Sequence, residues 1–562
     1  MQKYLNYFLY PRILQYDCRI TYRTAQVCNQ RTKECEFQME KIPDAEISPE
    51  RVPLVYSHPK GIPMLLRKNT VLSFDDVPGP KALKYFSNLR QYLSDVGTQF
   101  TAGTLTLGFN LGNFLNIQKN LTLSSALFDK YGSVVRFVSP IGSDIVLINK
   151  PDHIEKVFTM EGKFPVRSAL DSLNKYRKEH RGSNYKGLYA AHGEEWYNQR
   201  NLLNKPLNSA LNVHTTGIYE TCELFTQKLY NDRNHRDEVL RDLHKEIHKW
   251  AFDCMGLLTF SKKFNMLATE VIYCKTDMSW LYESLENATK AIVKCESGMH
   301  LWKLFPTPAW YSLVKHCDNI DKYVLERHLP RSLHNSLLIL YFNSGEDNLT
   351  GVMLQGGMPP EDVTTVLMDM MILGVNTVAT SMSFLLYHLA NFQKCQRRLF
   401  NEIEQLKSDE TKDIVAMKQC TPYLQACIRE TLRLVPPIPV LTRLLPLNIT
   451  LDNYNIPRGT LILMCTRDSS LKECNYDGAC RFDPDRWCNK EESEYHAFAS
   501  VPFGFGARKC LGQTIAETML SVLTIKIMKK FHLEYHYGEI EPTKTFISKP
   551  NKPMKIRFID RF

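Results

Sequence analysis

Near the end of the chain, the run VPFGFGARKCLG at residues 501–512 brings together two phenylalanines, three glycines, an arginine and a cysteine. A stretch with helical patterning follows Cys510 at once. Its sulfur is therefore expected near a helix N-terminus, where free N–H groups and the positive end of the helix dipole favour thiolate. Gly504, Gly506 and Gly512 allow tight turns and the close approach of something large, Phe503 can shield the sulfur, and Arg508 can meet an anion. A phosphate loop needs a different pattern and a redox thiol needs a resolving partner. A thiolate ligand to a haem iron accounts for these positions together.

Two further groups could do chemistry. The run VTTVLMDMMILGVNTVATSMSFLLYHLAN, 363–391, reads as one helix that is apolar nearly all round, so it is buried in a large core or spans a membrane. Asp369, Asn376, Thr377 and His388 count against lipid, where polar groups are costly. Gly374, Thr377 and Ser381 fall at i, i+3 and i+7, which gives either close helix packing at a glycine or a groove for something flat. In ETLR, Glu430 and Arg433 sit at i, i+3 on one helix face, which taken alone is an ordinary ion pair.

The elements that must position these groups are mostly helices. FDDVPGPKAL around Pro78 to Pro80 is a rigid, extended lead-in, because each proline fixes φ and restricts the residue before it. Residues 1–70 are expected to be a transit-like or irregular segment. Residues 71–562 are expected to form a single catalytic domain with an α-rich and a β-rich lobe. YGSVVRFVSPIGSDIVLIN alternates like a strand pair, and a helical middle follows to about Leu434. Within it, NSGEDNLTGVMLQGGMPPED is expected to be a glycine-rich mobile connection. After Pro436 come short strands and loops, closed by a helix from about Gly512 to Lys530. The fold class is mainly α with a smaller β portion.

Composition removes several classes of function. An apolar fraction of 44% and a charged fraction of 23% over 562 residues describe an ordinary globular chain able to bury a core. The sixteen cysteines run from Cys18 to Cys510 with no C-x-x-C pair, so neither a disulfide framework nor a zinc finger is expected. A formal charge of +10 without a basic block argues against nucleic acid, while a spread positive surface can still steer an acidic protein partner. From Met1 to Lys33 there are six basic residues and a single acid, Asp17, a bias that suits a mitochondrial transit peptide. YLNYFLY is broken by Asn6 and ended by Pro11, too short for a membrane anchor, so at most peripheral membrane association is expected.

Phe503, Gly506, Arg508, Cys510 and Gly512 match F-x-x-G-x-R-x-C-x-G, and on this motif the chain resembles the cytochromes P450, the haem-thiolate monooxygenases. Three more motifs appear in the family's order: GEEWYNQR, ETLR and FDPDRW. The resemblance implies the P450 fold, with haem b buried between the long oxygen-binding helix and the Cys-ligand loop and axially ligated by Cys510. It further implies that Trp196, Arg200, Arg443 and Arg508 meet haem propionates, and that Glu430, Arg433 and Arg486 form an ion network locking the scaffold behind the haem. Thr377 would hydrogen-bond bound oxygen during hydroxylation of a lipophilic substrate. Asn376 stands where the family usually has an acid, and Val378 where it has a second hydroxyl. Because an amide cannot titrate as a carboxylate does, proton delivery at Asn376 and Thr377 stays open between ordinary hydroxylation and an isomerase or dehydratase that needs no external oxygen.

YGSVVR, WKLFPTPAW, FLLYHLA and ISKPNKPMKIRF resemble the animal mitochondrial branch, and within it invertebrate members that include ecdysteroid hydroxylases. That branch implies electrons from a [2Fe–2S] ferredoxin with its NADPH-dependent reductase, a steroid-like substrate and O2, and placement on the matrix side of the inner membrane. Arg429 fits one of two basic docking positions, while Gln425 occupies the other. A xenobiotic-oxidising monooxygenase remains an alternative.

Overall fold

The computed structural model describes residues 22–28, 35–41, 71–80, 123–137, 144–168, 170–183, 186–239, 242–267, 277–296, 301–303, 305–327, 349–407, 413–488, 494–543 and 545–561. It divides into a unit of residues 1–69 and a unit of residues 70–562. In the first, β1 (Tyr22–Cys28) and β2 (Cys35–Lys41) pair antiparallel. The rest of the expected transit-like segment lies outside the described residues.

In the second unit, the alternating run around Val134 forms β3 (Val134–Phe137) and β4 (Ile145–Ile148), paired antiparallel as its pattern predicts. All eight residues are buried, since α1 (Leu123–Tyr131) covers β3 and the sheet continues on the other side. β4 runs parallel to β6 (Leu461–Met464), which in turn pairs antiparallel with β5 (Leu441–Leu444), giving the order β3-β4-β6-β5. Apolar side chains of this sheet and of α2 (Pro151–Thr159) form a second core.

The main core is helical. It gathers α3 (Asp171–Lys175), α4 (Gly193–Asn231), α5 (Leu243–Phe260), α6 (Asp277–Glu296) and α7 (Pro308–Arg327) with the later helices around Phe225, Trp250, Phe252 and Phe384. The stretch expected to be a mobile connection contains instead α8 (Leu349–Gln355), which buries Leu349 and Met353. Gly351 inside it is tolerated because tertiary burial outweighs its weak helix propensity. α9 (Pro360–Asn391) is the long apolar helix; it is the one stretch among the described residues long and apolar enough to cross a membrane, and it lies largely buried in the core. At Met370–Gly374 it relaxes into a single π turn. α10 (Gln393–Glu404), α11 (Pro422–Leu434) and α12 (Gln513–Lys530) complete the helical core.

Two histidines in this core stay neutral. His388 stacks on Phe482 at 4.8 Å, and burial, then the nearby Arg433 charge, lower its pKa to about 3. Burial likewise lowers His248 to about 4. Between the unfolded value of 6.5 and these folded values, the unfolded chain binds the extra protons, so stability is lost as pH falls below about 6.5. Each histidine is expected to remove about 2 kcal/mol between pH 7 and pH 5. His388→Phe, which keeps the stack, should flatten that slope in urea unfolding. An unchanged slope would show that His388 is not one of the groups responsible.

Candidate functional site

α11 carries Glu430 and Arg433 one turn apart, and the structure joins them to Arg486. Glu430 accepts from Arg433 Nε and Nη2, both at 2.8 Å, from Arg486 Nε at 3.0 Å and from Trp487 Nε1 at 3.0 Å. Both side chains of the Glu430–Arg433 pair are fully inaccessible. Arg433 Nη1 also donates to the carbonyls of Ser470 and Ala479. The fork geometry of arginine is what lets one side chain tie a carboxylate and two loops together.

The cysteine loop precedes α12. Gly506 has φ +68, and a Cβ there would lie 2.6 Å from Glu161 Oε1, so the turn requires glycine. The Cys510 N–H donates to Phe503 O at 2.9 Å, closing the loop. Gly512 has an ordinary backbone; its N–H serves Cys510, and a Cβ would stand 4.0 Å from the sulfur. The helix end favours thiolate as expected, since the Gly512 N–H lowers the Cys510 pKa, but it is not the largest influence. Burial dominates and raises the Cys510 pKa, with the Gly512 N–H, Arg167 and Arg200 opposing it. Cys510 nevertheless exposes surface, and it lines a cavity.

That cavity measures about 560 Å³. Cys510, Phe503 and Arg508 line it, together with Trp196 and Arg200 of α4, Arg443 of β5, and Gly374 and Thr377 of α9. These expected residues and Gly512 therefore meet around one space, although they come from four parts of the chain, while Gly506 serves the loop turn and does not line it. Gly374 satisfies both of its readings, since it lines the cavity and a Cβ would come within 2.9 Å of Met255 Cε.

Arg508 donates to Pro165 O at 2.9 Å and to Ala191 O at 2.6 Å, with its guanidinium 3.9 Å over the Trp196 ring. Arg200 donates to Lys509 O at 2.6 Å, and Arg443 pairs with Glu161. Sequence reasoning missed a fourth arginine, Arg167, which stacks on Tyr189 at 3.8 Å and also lines the cavity. No motif marks it; FPVR, 164–167, is informative only once the cavity is seen. Burial, followed by repulsion from Arg167, Arg443 and Arg200, lowers Arg508 to about 8, and its Nη1 lacks a hydrogen-bond partner among the described residues. Four arginines gather here, with Glu161 on Arg443 and Asp369 acting on Arg167 as nearby carboxylates, so the cage keeps an excess of positive charge. A flat apolar group carrying two carboxylates, as haem does, fits both the greasy walls and this excess of positive charge.

On α9, Thr377 lies on the cavity wall and donates to Leu373 O at 2.9 Å. Asn376 does not line the cavity. Its amide donates to Ile372 O at 2.7 Å and Thr289 Oγ1 at 3.1 Å, and its oxygen faces His248 Nε2 at 3.3 Å. The π turn frees carbonyls such as that of Ile372, and the amide satisfies one of them.

Residues 103–558 match the cytochrome P450 family. The chain is 25% identical over 502 residues to the probable cytochrome P450 301a1, mitochondrial, of Drosophila melanogaster, covering 86% of this chain and 87% of that one. It is 27% identical over 444 residues to the mitochondrial 1,25-dihydroxyvitamin D(3) 24-hydroxylase of Mus musculus, covering 77% and 82%. To cytochrome P450 11B, mitochondrial, of Aquarana catesbeiana it is 26% identical over 423 residues, covering 74% and 79%. With Trp196, Arg200, Phe503, Arg508 and Cys510 gathered on one cavity and the family matched over most of this chain, the chain belongs to the cytochrome P450 family of haem-thiolate monooxygenases.

Proposed function

We propose that residues 71–562 form one catalytic domain that binds haem b through Cys510 and hydroxylates a lipophilic, steroid-like substrate, an ecdysteroid-type sterol being the branch analogy. The observation that carries this reading is the meeting of Cys510, the arginine cage and Thr377 around a single apolar cavity. Bound haem would supply oxygen activation, with the cysteine sulfur favouring O–O cleavage. Arg167, Arg200, Arg443 and Arg508 would hold its carboxylates, Trp196 and Phe503 would shield it and the sulfur, and Gly512 would leave room for it, while Gly506 allows the turn of the loop. Thr377, its own proton committed to Leu373 O, accepts a hydrogen bond from a water and orders that water for proton transfer. Asn376 acts by holding the helix at its π turn.

Electrons are proposed to come from a [2Fe–2S] ferredoxin and its NADPH-dependent reductase, in a mitochondrial setting that the names of the relatives support. Arg429, exposed and stacked 3.9 Å over Trp487, and exposed Lys509 and Lys529 offer a positive docking face. Lys526 spends its charge on Glu223, and Gln425 donates to Ser521.

A second reading, an isomerase or dehydratase, is favoured by the Asn376 amide being turned away from the cavity. With ferredoxin, reductase, NADPH and a lipid extract under labelled oxygen gas, products are expected to gain one labelled oxygen; unlabelled product would support the second reading. Thr377→Ala should keep the spectrum yet lower product per NADPH by about tenfold or more. Unchanged coupling would remove Thr377 from proton transfer.

A further inference from the structure

A polar chain inside the helical core takes no part in the reading above. One face of α5 carries His244, His248 and Met255, which fall on the same side of the helix, and that face meets α9. His244 Nδ1 lies 2.8 Å from Ser383 Oγ, His248 Nε2 lies 3.3 Å from Asn376 Oδ1, and Met255 packs against Gly374. α6 adds two residues that also share a face. The Tyr282 hydroxyl is 3.1 Å from His248 Nδ1, and Thr289 Oγ1 is 3.1 Å from the Asn376 amide nitrogen. His248, Tyr282 and Thr289 are all buried, so three helices meet at the Asn376 amide in apolar surroundings.

Donor and acceptor chemistry fixes the direction of each bond in this chain. Thr289 spends its hydroxyl proton on Leu285 O at 2.9 Å, so toward Asn376 its oxygen accepts. Asn376 therefore presents its NH2 group to Thr289 and to Ile372 O. Turned over, its oxygen would face the Ile372 carbonyl at 2.7 Å, acceptor against acceptor. The amide oxygen is left for His248, so Nε2 carries the ring proton. Nδ1 of the same ring, which burial keeps neutral, then accepts from the Tyr282 hydroxyl.

Two successive side chains hold the carbonyls that end the π turn. Asn376 donates to Ile372 O, and the hydroxyl of Thr377 lies 2.9 Å from Leu373 O and 3.3 Å from Gly374 O. That turn sets which way α9 faces from there on. Resting on the proposed function, in which Thr377 orders a water, we propose that His248 is a positioning residue for Thr377. By donating to Asn376 Oδ1 it locks the amide onto the π turn, and the turn keeps Thr377 on the cavity wall. The acid that the family resemblance leads one to expect at 376 has no place in this arrangement. A carboxylate lacks the N–H groups that Ile372 O and Thr289 Oγ1 receive.

NMR of protein labelled with heavy nitrogen at histidine reads the first link. In the reduced holoenzyme under carbon monoxide, the His248 ring, identified by its loss in His248→Gln, is expected to carry its proton on Nε2 and none on Nδ1. A proton on Nδ1 alone, or on both nitrogens near neutral pH, would overturn the proposal. The assay with ferredoxin, reductase, NADPH and a lipid extract reads the consequence, compared at equal thiolate-type absorption so that lost protein does not enter. His248→Leu should retain NADPH oxidation yet lower product per NADPH by about threefold to tenfold. His248→Gln, whose side-chain amide still donates, should stay within about twofold of wild type. Asn376→Asp, although it supplies an acid, should lower product per NADPH as well. Equal coupling in the leucine and glutamine variants, or a rise in Asn376→Asp, would sink the proposal; where His248→Leu does not fold, the ring proton and Asn376→Asp decide it. A wild-type preparation without the thiolate-type band would instead count against the proposed function, and the histidine signal is read separately from it.

Discussion

Cys510→Ala is expected to abolish activity altogether and, in the reduced protein under carbon monoxide, to remove absorption at the thiolate-specific position. The effect should exceed that of any other single substitution in the cavity, because the variant loses the ligand and not merely its setting. Cys510→Ser separates the two. A hydroxyl fills nearly the same space at the Gly512 N–H, so the loop should fold, and thermal unfolding should move by only about 1 kcal/mol. The arginine cage does not depend on the sulfur: Arg508 and Arg200 are tied to backbone carbonyls of Pro165, Ala191 and Lys509. Residual haem binding without the thiolate band is therefore expected in the serine variant. A wild-type spectrum of histidine type, or a thiolate band that survives in either variant, would be incompatible with the assignment of Cys510.

The second large effect lies behind the cavity. Glu430→Ala should cost about 3–5 kcal/mol, because it strands Arg433 and Arg486 as buried, uncompensated cations. Against a total stability of about 5–15 kcal/mol, such a loss leaves little folded protein. Arg433→Lys should fare almost as badly despite keeping the charge, since an ammonium cannot span Glu430 and the carbonyls of Ser470 and Ala479 together. Soluble yield and urea unfolding read both variants. Destabilisation under about 1 kcal/mol in Glu430→Ala would show that the network contributes little to holding the scaffold.

What could be read from the residues alone followed from how locally each feature is encoded. Glu430 and Arg433 share a helical turn, and the cysteine loop is contiguous, so spacing sufficed to bring their side chains together. The pairing of β3 with β4 was legible for the same reason, as alternation and short range fix it. Arg167 was not legible: its place beside Cys510 depends on how the chain around residues 164–167 packs over α4, which no short pattern records. The direction of the Asn376 side chain was hidden as well, since one π turn rotates everything after it by a fraction of a helical turn. α8 was obscured by Gly351 within it and the glycines that follow it, and the weak propensity of Gly351 gave way to burial. That the helix end favours thiolate at Cys510 was legible, whereas the depth of burial that outweighs it was not.

The contacts that build the arginine cage join distant parts of the chain: Arg200 meets Lys509 across 309 residues and Arg508 meets Pro165 across 343. No N-terminal fragment can hold this anion site, however well its helices form, because the loop that completes it is among the last parts to be synthesised. Closing so long a loop costs little more than closing a shorter one, but the search for it is slow. Capture of the proposed cofactor would thereby fall at the close of folding, after the last helix has left the ribosome, and a chain truncated before residue 506 would have its other helices yet nothing to load.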